Sequence, residues 1–314
     1  MHHFPESASV SVVLATYNGE KFIREQLDSI IAQSIPPHEI IVVDDASSDG
    51  TKEILAAYAL QYPFIKPYFN DANLGYIRNF EKGLKMASGN YIALCDQDDF
   101  WLPQKLEKLL THIGDHTMIY SDSLLCDENL HSTGKKISDV SVCQPYISCL
   151  QQAVFCRIYG HATLFSKSLL SKAIPFPKVL PHDWWLSFMA TLDGGIGYLP
   201  EVLVYYRQHS NNVFGAVGGK SKKEDKKLRS EKKQLALAHI RERMQIFYNA
   251  CPDNHPLEKK VLGALNKSYQ NFGLRNNLER VFLFFRYQQQ LLVVKKRSGF
   301  RKILFCLKMF VMIK

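Results

Sequence analysis

Apolar positions in the first 121 residues alternate between two periods. Ser9 to Thr16 (SVSVVLAT) is a short β-branched run, the pattern of a buried strand. From Gly19 onward Phe22, Ile23, Leu27, Ile30 and Ile31 fall at helical spacing, and Pro36-Pro37 closes that segment. The pair then repeats. Glu39 to Val43 predicts a second strand, and Thr51 to Leu60 a helix with Ile54, Leu55 and Tyr58 inward. Ile65 to Phe69 and Tyr76 to Ala87 form a third pair, while Asn90 to Cys95 and Thr117 to Ser121 predict two more strands. Strand alternating with helix implies an α/β fold, a mostly parallel sheet covered on both faces with right-handed connections.

In open sheets of this kind, ligands bind beyond the carboxyl ends of the strands. Those ends carry Tyr17-Asn18-Gly19, Asp44-Asp45, Asn70-Asp71 and Asp96-Gln97-Asp98-Asp99. A single loop aspartate says little, because Asp favours turns and caps in its own right. The run from Asp96 to Asp99 is different. Its carboxylates repel one another unless a cation or a hydrogen-bonding ligand sits among them.

Composition adds a boundary. The 314 residues are 46% hydrophobic and 22% charged, enough for a folded core in one large domain or two smaller ones. The net charge of +9 invites a nucleic-acid or membrane reading, but it is unevenly spread. Residues 1–214 hold 16 Lys/Arg against 23 Asp/Glu, and residues 215–314 hold 23 against 7. This is an acidic body with a basic tail. Seven cysteines without a Cys-x-x-Cys pair imply neither a disulfide framework nor a zinc ribbon. The opening residues lack a signal-peptide pattern, and no apolar run reaches the roughly 18 residues of a spanning helix. A reducing cytoplasm is the expected location.

Four blocks, VVLATYNGEKFI, IIVVDDASSDGT, NLGYIRNFEKGL and YIALCDQDDFWLPQKLE, together resemble the family 2 glycosyltransferases. The resemblance covers residues 9–214. It implies an inverting, nucleotide-sugar-dependent enzyme of the GT-A fold, with a Rossmann-like central sheet and a helical, basic C-terminal region. It further implies a catalytic domain over 1–214, with a nucleotide part at about 9–122 and an acceptor part at about 123–214, and the change of composition at Gly215 marks a basic, mainly helical C-terminal region over 215–314. The blocks His182-Asp183-Trp184-Trp185 and Tyr206-Arg207-Gln208-His209-Ser210-Asn211-Asn212 resemble the branch that transfers rhamnose in bacterial surface polysaccharides.

The resemblance carries roles with it. Asp96-Gln97-Asp98 stands at the family's Asp-x-Asp motif, with Asp98 as the ligand of Mg²⁺ or Mn²⁺ and Asp96 nearer the ribose. Such a cation stabilises the diphosphate leaving group. Asp99 is expected to cap the helix beginning near Pro103 or to order the loop. Tyr17 is placed to stack on a pyrimidine, Asp45 to accept from its ring N–H, and Thr16 and Asn18 to shape the rim. Arg78 is a candidate for phosphate or nucleobase, with a surface role as the alternative. Asp183 is the expected general base, with a helix cap as the plainer reading. His182 replaces the family's first acid there and is left to orient Asp183 or touch phosphate. His209 is a candidate for a late metal or diphosphate contact, and His161, Trp184 and Trp185 for the acceptor cleft, with one of the two tryptophans expected in the core.

Beyond residue 220, the run KSKKEDKKLRSEKK reads as a solvated helix face or a connector. From Leu257, apolar clusters interleave with Lys/Arg, which suits either helices packed on the body or a segment at an anionic membrane. The expected partners are a nucleotide-sugar donor, dTDP-L-rhamnose before others, and a saccharide acceptor, lipid-linked and met at the cytoplasmic membrane surface. The alternatives are transfer from a UDP-hexose or UDP-N-acetylhexosamine, or nucleic-acid binding by the tail. The acidic body argues against the last.

Overall fold

The computed structural model describes residues 8–209, 226–294 and 296–310. In its first half the expected order appears as β1 (Val10–Thr16), α1 (Ile23–Ile31), β2 (Glu39–Asp44), α2 (Thr51–Gln61), β3 (Ile65–Phe69), α3 (Tyr76–Met86) and β4 (Tyr91–Asp96). β1 and β2 are unbroken apolar runs because both their faces are covered. Val12, Leu14, Ile40 and Val42 pack towards α1 and α2. Val13, Ile41 and Val43 pack towards Phe80 and Leu84 of α3. Alternate side chains of a strand point to opposite faces, which separates the two sets.

β3, β2, β1 and β4 are parallel neighbours, with Thr16 opposite Asp44 and Ala15 opposite Asp96. That register brings three strand ends to one edge. β5 (Phe100–Trp101) and α4 (Lys105–His112) follow. Here the structure corrects two expectations. Pro103 lies before the helix, in a turn closed by Lys105 N–H to Leu102 O (3.0 Å). Asp99 does not cap α4, because its carboxylate is buried against another part of the chain.

β6 (Met118–Cys126) runs well past the expected Ser121. Its polar continuation, Asp122 and Ser123, is buried, and Asp122 accepts the Ser138 N–H at 3.1 Å. Then come β7 (Ser132–Lys136), α5 (Ile137–Val140), α6 (Leu150–Ala153), β8 (Thr163–Ser166), α7 (Leu170–Ala173), α8 (His182–Ala190) and β9 (Ile196–Arg207). The nine-stranded sheet has the order β3-β2-β1-β4-β8-β6-β9-β5, with β7 paired to β6. β8 is antiparallel to β4 and β6, while β9 is parallel to β6.

The basic portion contributes α9 (Lys226–Ala250), α10 (Pro256–Gln270), α11 (Leu274–Arg286), α12 (Gln288–Leu291) and α13 (Gly299–Lys308). These helices do not stand apart from the body. Met244, Phe247, Leu265, Phe284 and Phe305 share one core with Phe80, Phe188 and Ile41, and the Phe188 and Phe247 rings stack at 4.0 Å. The motif residues Ser210, Asn211 and Asn212, the boundary at 214/215, and residues 220–225 of the charge run lie outside the described residues.

Candidate active site

A cavity of about 650 Å³ opens at the carboxyl edge of the sheet, among the ends of β1, β2, β4 and β9 and the starts of α3 and α8. Tyr17 lines it with an exposed ring. Gln97, the middle residue of the acidic motif, staples that rim. Its Oε1 accepts from Thr16 Oγ1 (2.6 Å) and the Tyr17 N–H (2.8 Å), and its Nε2 donates to Tyr17 O (3.2 Å). Asn18, at φ 51°, latches the next loop, donating its N–H to Ser47 Oγ (2.8 Å) and accepting the Ser48 N–H (2.9 Å).

Asp45 is buried beside this rim. It accepts from Asn70 Nδ2 (2.8 Å) and from the N–H groups of Leu74 (2.8 Å) and Gly75 (2.9 Å). A carboxylate offers about four acceptor sites, so about one is left for a ligand. Gly75 sits at φ 80°, which L side chains rarely adopt, and that bend aims its N–H at Asp45.

The acidic run divides three ways. Asp98 Oδ2 lies 2.7 Å from His209 Nε2, and both residues line the cavity. Asp99 turns inward, accepts the Arg207 N–H (3.1 Å), and places Oδ2 3.2 Å from His161 Nδ1. Asp96 Oδ2 stands 3.7 Å from the same nitrogen. His161 is buried, with Nε2 3.1 Å from Ser123 Oγ, and its carbonyl accepts from Lys105 Nζ (2.7 Å). Lys105 is itself fully buried, its ammonium 3.0 Å from the centroid of the Trp101 ring.

Burial dominates the electrostatics here. It pushes the Asp99 carboxyl up to about 8, against the opposing pull of His161. It would lower His161, but the Asp99 and Asp96 carboxylates outweigh it and raise the imidazole above its usual value. Burial likewise opposes ionisation of Asp96, which His161 nevertheless holds below the ordinary range. Lys105 falls well below the usual lysine value because it is desolvated. On the pocket floor, therefore, burial disfavours the charged forms of Asp99 and Lys105, while Asp96 and His161 favour each other's charge.

Across the cavity, Asp183 lies in the first turn of α8 and accepts the Trp184 N–H at Oδ1 (2.7 Å). Burial raises its pKa, partly opposed by His182. Burial and the Asp183 charge push the Tyr76 phenol, also at the cavity, up to about 12. His182 is buried, stacks on Phe80 at 4.0 Å, and neither ring nitrogen has a protein hydrogen-bond partner among the described residues. Burial pushes its pKa down.

Three expectations, Arg78, Trp184 and Trp185, are placed elsewhere. Arg78 does not line the cavity; it pairs with Glu81 on the next helical turn, which also takes Lys85 at 2.6 Å. Trp185 is core, donating Nε1–H to Ala173 O (2.7 Å). Trp184 donates to Gln152 O (2.6 Å) beneath the Arg243 guanidinium of α9. Successive residues of a helix point about 100° apart, so Asp183 and the two tryptophans cannot share one face. His161 does touch the cavity, but as the internal partner of Asp96 and Asp99 rather than as an open acceptor wall.

The residues that sequence reasoning passed over are Gln97, Tyr76, Phe22 and Lys105, whereas Asn79 stands in the block expected to approach the nucleotide. Asn79 donates to Val43 O (2.7 Å) and accepts from Asn70 (2.9 Å), which fixes the neighbour of Asp45. Phe22 stacks on His209 at 5.0 Å and lies 4.5 Å from the Arg207 guanidinium. The signal for Gln97, Tyr76 and Asn79 lay in the motif blocks themselves. Lys105 had none, since a helix lysine is ordinarily at the surface.

Two sets of groups offer ligands to a cation. Asp96, Asp99 and His161 bring ligand atoms within 4.8 Å of one another. Asp99 is sealed inside, however, and burial pushes its carboxyl towards the protonated form, which is a poor metal ligand. Asp98 and His209 both face the cavity; the carboxylate suits Mg²⁺ or Mn²⁺, and the imidazole adds a nitrogen that Mn²⁺ accepts more readily than Mg²⁺. The second set fits better.

An α/β fold with its cavity at the carboxyl edge of the sheet is the architecture to which the comparisons give a family. Residues 11–172 match the profile described as Glycosyl transferase family 2, and the chain belongs to this family. A Mycobacterium tuberculosis (strain ATCC 25618 / H37Rv) protein described as uncharacterized is 32% identical over 213 residues, 65% of this chain and 60% of that protein. The dTDP-rhamnosyl transferase RfbG of Shigella flexneri is 29% identical over 65% of this chain and 74% of its own. Among solved structures, Staphylococcus aureus TarS 1–349 in complex with UDP-GlcNAc superposes with a TM-score of 0.60 at 18% identity, covering 90% of this chain and 81% of that one. That likeness establishes the GT-A fold. The chain spans 60% of the length of the mycobacterial relative.

Proposed function

We propose that this protein transfers a sugar, L-rhamnose from dTDP-L-rhamnose, to a lipid-linked saccharide acceptor with inversion at the anomeric carbon, on the cytoplasmic side of a bacterial membrane and in surface polysaccharide synthesis. One observation carries the reading. Asp45, the Asp98–His209 pair and Asp183 converge on a single cavity. The choice of rhamnose is supported by the likeness to the Shigella relative.

The base would stack on Tyr17 and donate its ring N–H to the remaining acceptor site of Asp45. Asp98 and His209 would hold Mg²⁺ or Mn²⁺, which supplies Lewis-acid stabilisation of the departing diphosphate. Asp183 would take the proton of the attacking hydroxyl. In that displacement the new glycosidic C–O bond forms as the sugar–phosphate bond breaks, and the electron pair leaves with the diphosphate. The backbone N–H groups of Trp184 and Gly160 hold the Asp183 carboxylate in place. A carboxylate with a raised pKa is the stronger base once ionised. The two unpartnered nitrogens of His182 support a part in holding the sugar or its phosphates.

The test is a donor panel of dTDP-rhamnose, UDP-glucose, UDP-galactose and UDP-N-acetylglucosamine with Mg²⁺ or Mn²⁺, read by nucleoside diphosphate release and by product NMR. Release from dTDP-rhamnose with an inverted product is expected. Release from UDP-sugars alone would shift the reading to a UDP-hexose or UDP-N-acetylhexosamine transferase. Retention of configuration would remove Asp183 as the base.

A further inference from the structure

The C-terminal layer carries a surface that sugar transfer does not use. α11 exposes Leu274, Leu278 and Phe282, spaced four residues apart along one line, with Leu274 67% and Phe282 60% exposed. α13 exposes Phe300, Ile303, Leu304 and Leu307, the spacing of a single helical face, with Phe300 69% exposed. Neither stripe is a failed core. The inner sides of the same helices already supply buried Leu283, Phe284, Phe305 and Cys306. The two helices are bound to each other, with Phe284 and Phe305 rings 6.0 Å apart and Arg280 Nε donating to Met309 O at 2.8 Å.

The charge around these stripes is one-sided. Residues 274–310 hold nine Lys/Arg and one acid, Glu279. Arg275, Arg286, Lys296, Arg301 and Lys308 are exposed. Among the described residues no helix is long and apolar enough to cross a membrane. Large apolar side chains beside exposed cations complement an anionic bilayer: the apolar groups enter the acyl boundary while the cations meet lipid phosphates. A second copy on the same face would bring like charges together.

We propose that α11 and α13 form the face by which this protein lies on anionic phospholipid. The proposal is independent of the sugar and of the transfer reaction. It is tested by sedimenting the full chain with vesicles of phosphatidylglycerol and phosphatidylcholine, and with vesicles of phosphatidylcholine alone. Binding to the anionic vesicles only, weakened by salt, is the expected result. The double variant R301Q/K308Q should weaken partitioning about 25-fold, at about fivefold per cation. Phe300→Ser and Leu307→Ser should each weaken it at least about tenfold. All four side chains are exposed, so melting curves should not move, and a collapse in melting would disqualify that variant in favour of the other pair. Equal binding to neutral vesicles, no binding to anionic ones, or a dimer that Phe300→Ser dissolves would overturn the proposal.

Discussion

Strand β2 carries carboxylates at both ends, and the fold treats them in opposite ways. At its start, Glu39 is buried and saturated. It accepts from Ser11 Oγ (2.7 Å), the Ser88 N–H (2.7 Å) and Oγ (2.6 Å), and Lys66 Nζ (2.7 Å). Against the cost of burial, these donors hold its pKa down to about 2. At the far edge, Asp45 keeps acceptor capacity, Asp98 faces the cavity beside His209, and burial raises the pKa of Asp183. One edge neutralises its charge within the protein. The other leaves it to be completed by a ligand.

The comparison breaks first at Asp98. Asp98→Ala should lower nucleoside diphosphate release about 10³-fold or more and abolish Mn²⁺ binding followed by electron paramagnetic resonance. Unchanged transfer would mean that the cavity edge needs no cation there. Asp183→Asn should reduce kcat about 10²- to 10⁴-fold while donor affinity stays the same, since a base acts only in the chemical step. For the intact enzyme the acid limb of the pH–rate profile should lie above the ordinary carboxylate range of about 4, because the raised group must lose its proton to work. An acid limb at or below that range would break the link.

Glu39→Gln probes the other edge and should behave differently. Folding stability at neutral pH should drop by about 3 kcal/mol, read by chemical denaturation, with transfer per folded molecule unchanged. The sign follows from the depressed pKa. The contribution is full above the ordinary value of 4.5 and is lost as pH falls towards about 2, so the variant should show a flatter acid dependence of its melting temperature. The smallest effect is expected at Arg78. Arg78→Ala should change the donor KM by less than about twofold, because its charge is met by Glu81. A tenfold rise would return Arg78 to the donor site.

The first half of the fold was legible because strand and helix periods differ and both sheet faces are apolar. β6 was cut short in the reading because Ser121, Asp122 and Ser123 are polar yet buried, and burial of polar groups depends on partners such as Ser138 that lie far along the chain. The same limit applies to the site. Strand ends announced Asp45, Asp96 and Asp98, whose places depend on the register of neighbouring strands. Trp184 and Trp185 were misplaced because their surroundings are set by α9 and by Ala173, contacts with no local signature. The helix-cap reading of Asp99 failed for a related reason. Its partners, Arg207 and His161, come from β9 and from the segment before β8.

Gln97 binds the β1 rim from within the acidic motif. The loop that would meet the base and the loop that would meet the cation are therefore one mechanical unit. A ligand that settles either loop alters the free energy of occupying the other, and such coupling is reciprocal. Nucleotide and metal should then each tighten the other's binding by the same factor. Gln97→Ala, which cuts the connection and leaves every proposed ligand in place, should bring that factor towards one.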